Sequence, residues 1–125
     1  MDKLLLIGMG GALGSIFRYL FSTGIHRVFG RDFPYGTLAV NAFGSFLIGL
    51  LFVILLDRFQ ALAEQLRALL LIGFLGGFTT FSSFSFETIS LLESGELGRS
   101  FLNIFLSVSL CLGLTWMGIL LGRQL

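Results

Sequence analysis

The chain alternates long apolar runs with short clusters of charge. Four runs stand out: Leu4 to about Gly24, Gly36 to Leu56, about Leu66 to Leu92, and Phe101 to Leu121. Each is long enough to cross the hydrocarbon core of a bilayer as a helix, for which about 20 residues suffice. Charge returns after the first run at His26, Arg27, Arg31 and Asp32, and Pro34, the only proline, stands just ahead of the second. Asp57 and Arg58 close the second run, and Glu93, Glu96 and Arg99 divide the third from the fourth. The pattern predicts an all-α membrane protein with four transmembrane helices, organised as one domain over residues 1–125 with short connections. Met-Asp-Lys followed by an apolar run has the outline of a signal peptide. That run continues past Arg18 to Phe21 without a convincing cleavage site, so it reads as a retained helix.

Composition agrees with this reading and narrows the chemistry. Hydrophobic residues make up 55% of the chain and charged residues 12%, against roughly a quarter charged in ordinary soluble domains. Mean hydropathy is +0.95. The expected surroundings are membrane lipid, with no nucleic-acid partner, and the expected location is the cell inner (plasma) membrane, crossed several times. Cys111 is alone, which excludes an internal disulfide. No histidine cluster, cysteine pair or nucleophile triad is present. Gly8, Gly10 and Gly11 imitate a nucleotide-binding fingerprint, but no strand precedes them. An enzyme is therefore not expected.

With four crossings the two termini share a side. Lys3, Arg58, Arg67 and Arg123 then lie together and Arg27, Arg31 and Arg99 lie opposite, four against three. Orientation normally follows an excess of Lys and Arg on the cytoplasmic side. With almost no excess, two readings stand: one weakly biased orientation, or insertion both ways, which permits an antiparallel dimer.

Small and polar residues recur at helical spacing. Gly10 and Gly14, Gly73 and Gly77, and Gly118 and Gly122 are each four apart, as are Gly11 and Ser15, so several helices carry a flat face for close backbone approach. Asn41, Ser45 and Gly49 share a face of the second helix; Asn103, Ser107, Cys111 and Thr115 share one on the fourth. These stripes of neutral hydrogen-bonding groups suit either interhelical bonds or a path for a small solute. Carboxylates are nearly absent from the spans, with Glu87 the one candidate. That weighs against a proton-coupled drug-export transporter, the alternative reading for a small four-span protein of dual topology. Arg18, near the end of the first span, either snorkels to the interface or concentrates anions at a pore mouth.

The third run carries the most unusual stretch, GGFTTFSSFSFE from Gly76 to Glu87. Two glycines followed by two threonines continue a helix poorly, since glycine costs about 1 kcal/mol relative to alanine and threonine is restricted at χ1. The third helix is expected to break there. Freed backbone groups inside a membrane must be buried in protein, hydrated or bound to an ion. Phe81 and Phe84 lie three apart at the start of the second half and share a face. A phenyl ring has a positive edge that can meet an anion, although a phenylalanine stripe also serves packing or lipid contact.

Three motifs together, GGALGSIFRY in the first span, GTLAVNAFGSFLIG at 36–49 and GFLGGFTTFSSFSFE at 73–87, resemble the Fluc (CrcB) family of fluoride channels. The resemblance spans essentially the whole chain. It implies an antiparallel, dual-topology homodimer with two pores that passes fluoride passively out of the cell, rejects chloride and so gives fluoride resistance. Phe81 and Phe84 match the family's pore phenylalanines, and Asn41 matches its pore asparagine. Ser107 and Thr115 fall on a polar track of the fourth helix, with Cys111 between them where a hydroxyl would suit. Arg18 matches a vestibule arginine, and Glu87 an acidic position at the pore mouth. Gly76 and Thr79 match the positions whose backbone carbonyls, two from each subunit, hold a structural sodium ion (Na+) at the dimer centre.

Overall fold

The computed structural model describes residues 2–125, and the ordered elements among them are all helical. In chain order they are α1 (Lys3–Phe29), α2 (Tyr35–Arg58) and α3 (Ala63–Leu66), which runs into a π-helical segment Arg67–Leu75, then α4 (Gly76–Phe78), α5 (Phe81–Glu93) and α6 (Leu97–Gln124). Four stretches are long and apolar enough to cross a membrane: Lys3–Phe29, Tyr35–Arg58, Ala63–Glu93 and Leu97–Gln124. The chain is a multi-pass membrane protein.

Every helix outruns the apolar run that predicted it, because charge ends the hydrocarbon zone and not the helical hydrogen bonding. The stop after α1 is Gly30, at φ 87°, whose amide reaches the His26 carbonyl at 2.8 Å. A left-handed glycine at this position satisfies the last carbonyls without steric cost. Gly95, at φ 84°, does the same between α5 and α6. At the other end of α1, the Asp2 carboxylate accepts from the Leu4 amide at 3.3 Å.

Lipid replaces water as the surrounding solvent, so the apolar side chains need not point inward. Leu4, Phe17, Phe101, Leu112 and Trp116 are among many large apolar residues left exposed on the outer faces. Close approach of backbones holds the helices instead. Gly10 and Gly14 bring α1 against the backbone of Leu69 and Phe74, while Gly73 and Gly77 meet α1 at Ile7 and Gly11. Gly49 of α2 faces the Thr115 carbonyl, and Gly118 of α6 faces that of Phe46. A Cβ at any of these positions would run into main chain. The predicted small-residue faces are therefore the helix contacts. A modest apolar cluster of Leu55, Leu71 and Leu75, backed by Leu47, Leu51 and Phe74, fills the remaining interior.

The two ends of the bundle sort as the charge pattern predicted. Lys3, Gln60 and Arg67 border one cavity, whereas the Arg99 guanidinium donates to the Asp32 carbonyl at 3.3 Å at the opposite end.

Candidate functional site

The third span breaks within the stretch that the glycine and threonine pairs marked. Thr79 (φ −84°, ψ 157°) and Thr80 (φ −151°, ψ 117°) are extended between α4 and α5. Three side chains stabilise the break. The Thr79 hydroxyl donates to the Leu75 carbonyl at 2.8 Å, and the Thr80 hydroxyl caps α5 by accepting from the Ser83 amide at 3.2 Å. Asn41, on α2, grips Thr80 from across the bundle. Its Nδ2 donates to the Thr80 carbonyl at 2.9 Å, and its Oδ1 accepts from the Thr80 amide at 2.8 Å.

Those contacts divert two amides from their helical partners. In an unbroken helix the amide of residue 80 would reach the carbonyl of Gly76, and that of residue 83 the carbonyl of Thr79. Here the first goes to Asn41 and the second to the Thr80 side chain. The Gly76 and Thr79 carbonyls are thereby released from the helical pattern, with Gly76 on an exposed surface of the protomer. Oxygen donors of this kind suit a hard cation such as sodium.

Behind the break the aromatics pack inward. Phe78 is buried, and its ring meets that of Phe21 edge-on at 5.8 Å and that of Phe43 at 6.2 Å. Beyond the break they face outward. Phe81 and Phe84 lie with ring centroids 5.4 Å apart, tilted by 46°, and Phe81 is 78% exposed. Both rings line an open groove of about 450 Å³ together with Asn41, Gly44, Ser45, Gly76, Thr79, Thr80, Ser107 and Cys111. Its walls are mostly apolar, with Ile48, Leu71, Leu75, Val108 and Leu112 between the polar residues; the polar groups are neutral hydroxyl, amide, thiol and carbonyl, and no ionisable carboxylate lines it.

Five of the residues singled out by spacing and resemblance thus share one groove with Ser107: Asn41, Gly76, Thr79, Phe81 and Phe84. Two others do not reach it. The Thr115 hydroxyl donates to the Ser45 carbonyl at 3.0 Å and so joins α6 to α2. Arg18 lies in a separate cavity of about 220 Å³ with Ser22, Thr37, Val40 and Ser83, and Thr80 borders both spaces. The Arg18 Nε is buried without a hydrogen-bond partner. Glu87 is half-buried near Thr37 and His26, and its Oε1 likewise has no partner.

Spacing alone missed Thr37 of the Arg18 cavity and Thr88, the partner of Asn103 on α5. Isolated hydroxyls in apolar helices carry no periodic signal. Asn103 was visible on the α6 stripe, yet its buried partner Thr88 sits on another element.

The sequence also matches known proteins along nearly its whole length. The family model described as CrcB-like protein, Camphor Resistance (CrcB), matches residues 5–119. A relative from Geobacter sulfurreducens, the fluoride-specific ion channel FluC, is 52% identical over 125 residues and covers all of both chains. Its namesake from Hydrogenovibrio crunogenus is 48% identical over 122 residues, 98% of this chain and 92% of that one. A third, from Methylococcus capsulatus, is 51% identical over 123 residues, and this chain spans 54% of its length. With a family model matched along nearly all its length and relatives at about half identity end to end, the chain belongs to the CrcB family.

Proposed function

We propose that the protein is a fluoride-selective channel of the plasma membrane that lets cytoplasmic fluoride leave passively. The carrying observation is the groove beside the break, which the Phe81 and Phe84 rings line together with neutral polar groups and where no fixed charge is present to trap an ion. Ring edges and hydroxyl or amide protons can replace water around a small anion in steps, without holding it. Arg18, with its unpartnered Nε beside Thr80, attracts anions to the mouth. The relatives' name, fluoride-specific ion channel, supports this reading.

The working unit is an antiparallel homodimer of dual topology. The near-equal charge count supports insertion both ways. The exposure of Phe81 and Gly76, both groove residues of a single protomer, supports a second chain closing that side. At the contact the Gly76 and Thr79 carbonyls of both chains would hold a sodium ion, which neutralises the carbonyl ends of the two half-helices. Asn41 serves the pore through its remaining Nδ2 proton while fixing Thr80, and Ser107 presents its hydroxyl from α6.

The test is anion efflux from liposomes holding purified protein, with a potassium ionophore clamping voltage and electrodes following fluoride and chloride separately. Fast fluoride release without chloride release is expected. Release of neither ion from well-folded protein would overturn the proposal. A drug-export transporter would instead show substrate movement tied to a proton gradient, and the carboxylate-free groove does not favour it.

A further inference from the structure

A buried polar cluster lies between α5 and α6 and meets the groove only at Ser107. Ser100, Asn103 and Ser107 of α6 and Thr88 of α5 are all buried, Asn103 to 2% exposure. The Asn103 Nδ2 donates to the Thr88 Oγ1 at 2.9 Å, and that hydroxyl donates in turn to the Phe84 carbonyl at 2.7 Å. The Ser100 hydroxyl donates to the Thr88 carbonyl at 3.0 Å. The Ser107 hydroxyl reaches the Asn103 Oδ1 at 3.5 Å.

The proton count fixes the direction of this chain. A hydroxyl has one proton, and Thr88 commits its own to the Phe84 carbonyl. Its amide partner must therefore be a donor, which turns the Asn103 nitrogen towards Thr88 and its oxygen towards Ser107. One amide thus joins two residues of the groove, Phe84 through Thr88 at one end and Ser107 at the other. The contact to Ser107 is long, so that hydroxyl can turn towards a passing anion at small cost. The contacts to Thr88 are short, and α5 is otherwise bare on its outer face, with Phe81, Phe86 and Ile89 all exposed.

We infer that Asn103 and Thr88 are positioning residues for anion passage, setting the Phe84 ring and the Ser107 hydroxyl in register without touching the ion. The inference rests on the functional reading above.

The test pairs flux with a probe of ring position in the full-length protein. Thr88→Val keeps the shape and removes the hydroxyl; Thr88→Ser keeps the hydroxyl; Asn103→Leu removes the amide. Fluoride efflux is expected to fall about three- to tenfold in Thr88→Val and Asn103→Leu, the range spanned by one interhelical hydrogen bond in a membrane. Thr88→Ser is expected to rescue it. In parallel, 4-fluorophenylalanine placed singly at position 84 or 81 reports ring environment by fluorine NMR. Thr88→Val should move or broaden the signal at 84 and leave that at 81 in place. Unchanged flux, or equal changes at both positions, would overturn the inference. Wild-type protein without fluoride flux would instead sink the functional reading, and the fluorine signals would still decide whether the pair positions Phe84.

Discussion

At the scale of single residues, the broken third span assigns each side chain around it a separate task. Phe78 packs inward, while Phe81 and Phe84 face the groove. Replacing Phe81 or Phe84 by Ile removes a ring edge and keeps apolar bulk. Fluoride flux is expected to drop on the order of tenfold, the scale of one aromatic edge contact, with the protein still folded. Normal efflux from both variants would remove the rings from the mechanism. Asn41 is a different case, because its amide holds both polar groups of Thr80. Asn41→Leu strands a half-buried N–H and C=O at the break, at a cost of ~1–3 kcal/mol for each unsatisfied group. Denaturation in detergent should show that loss directly, and an unchanged midpoint would mean that the break is held by other contacts.

At the scale of elements, the helix contacts depend on whether a glycine faces backbone or open space. Gly14 lies against the Phe74 carbonyl, which cannot move without shifting the third span, whereas nothing lies within 4 Å of a Cβ built on Gly8. Gly14→Ala is expected to lower the unfolding temperature clearly. Gly8→Ala is expected to be neutral or to stabilise by up to about 1 kcal/mol, because alanine is the better helix former. Equal behaviour of the two would refute backbone contact as the basis of packing. Much of this was legible in the sequence: the four runs, the Gly10/Gly14 and Gly73/Gly77 faces, and the break after Gly76-Gly77 each follow from local spacing. The π-helical winding of Arg67–Leu75 was not, since RALLLIGFL has the composition of any apolar helix. The division of the α6 stripe was equally hidden. Asn103, Ser107 and Thr115 share one periodicity, yet the first is tied to Thr88, the second borders the groove and the third bonds Ser45. Periodicity states which residues share a face; which element lies opposite is a matter of tertiary packing.

At the scale of the whole molecule, orientation is decided by very little charge. Lys3, Arg58, Arg67 and Arg123 at one end oppose Arg27, Arg31 and Arg99 at the other, so a single added cation is a large fraction of the bias. If both orientations are needed to build the antiparallel pair, forcing one of them removes function without touching the groove. Gln60→Arg with Ala61→Arg, in the connection between α2 and α3, adds two positive charges at the end that carries Lys3 and Arg67 and should drive that end to the cytoplasm. Arg58→Gln with Arg123→Gln and Ser94→Arg shifts the balance the other way. Each variant expressed alone should insert in one direction, as read by accessibility of a carboxyl-terminal tag, and give little fluoride efflux. Expressed together they should recover it, because one supplies the orientation that the other lacks. Full efflux from either variant alone, with its tag found on a single side, would show that one orientation suffices and would overturn the antiparallel dimer while leaving the groove and its phenylalanines in place.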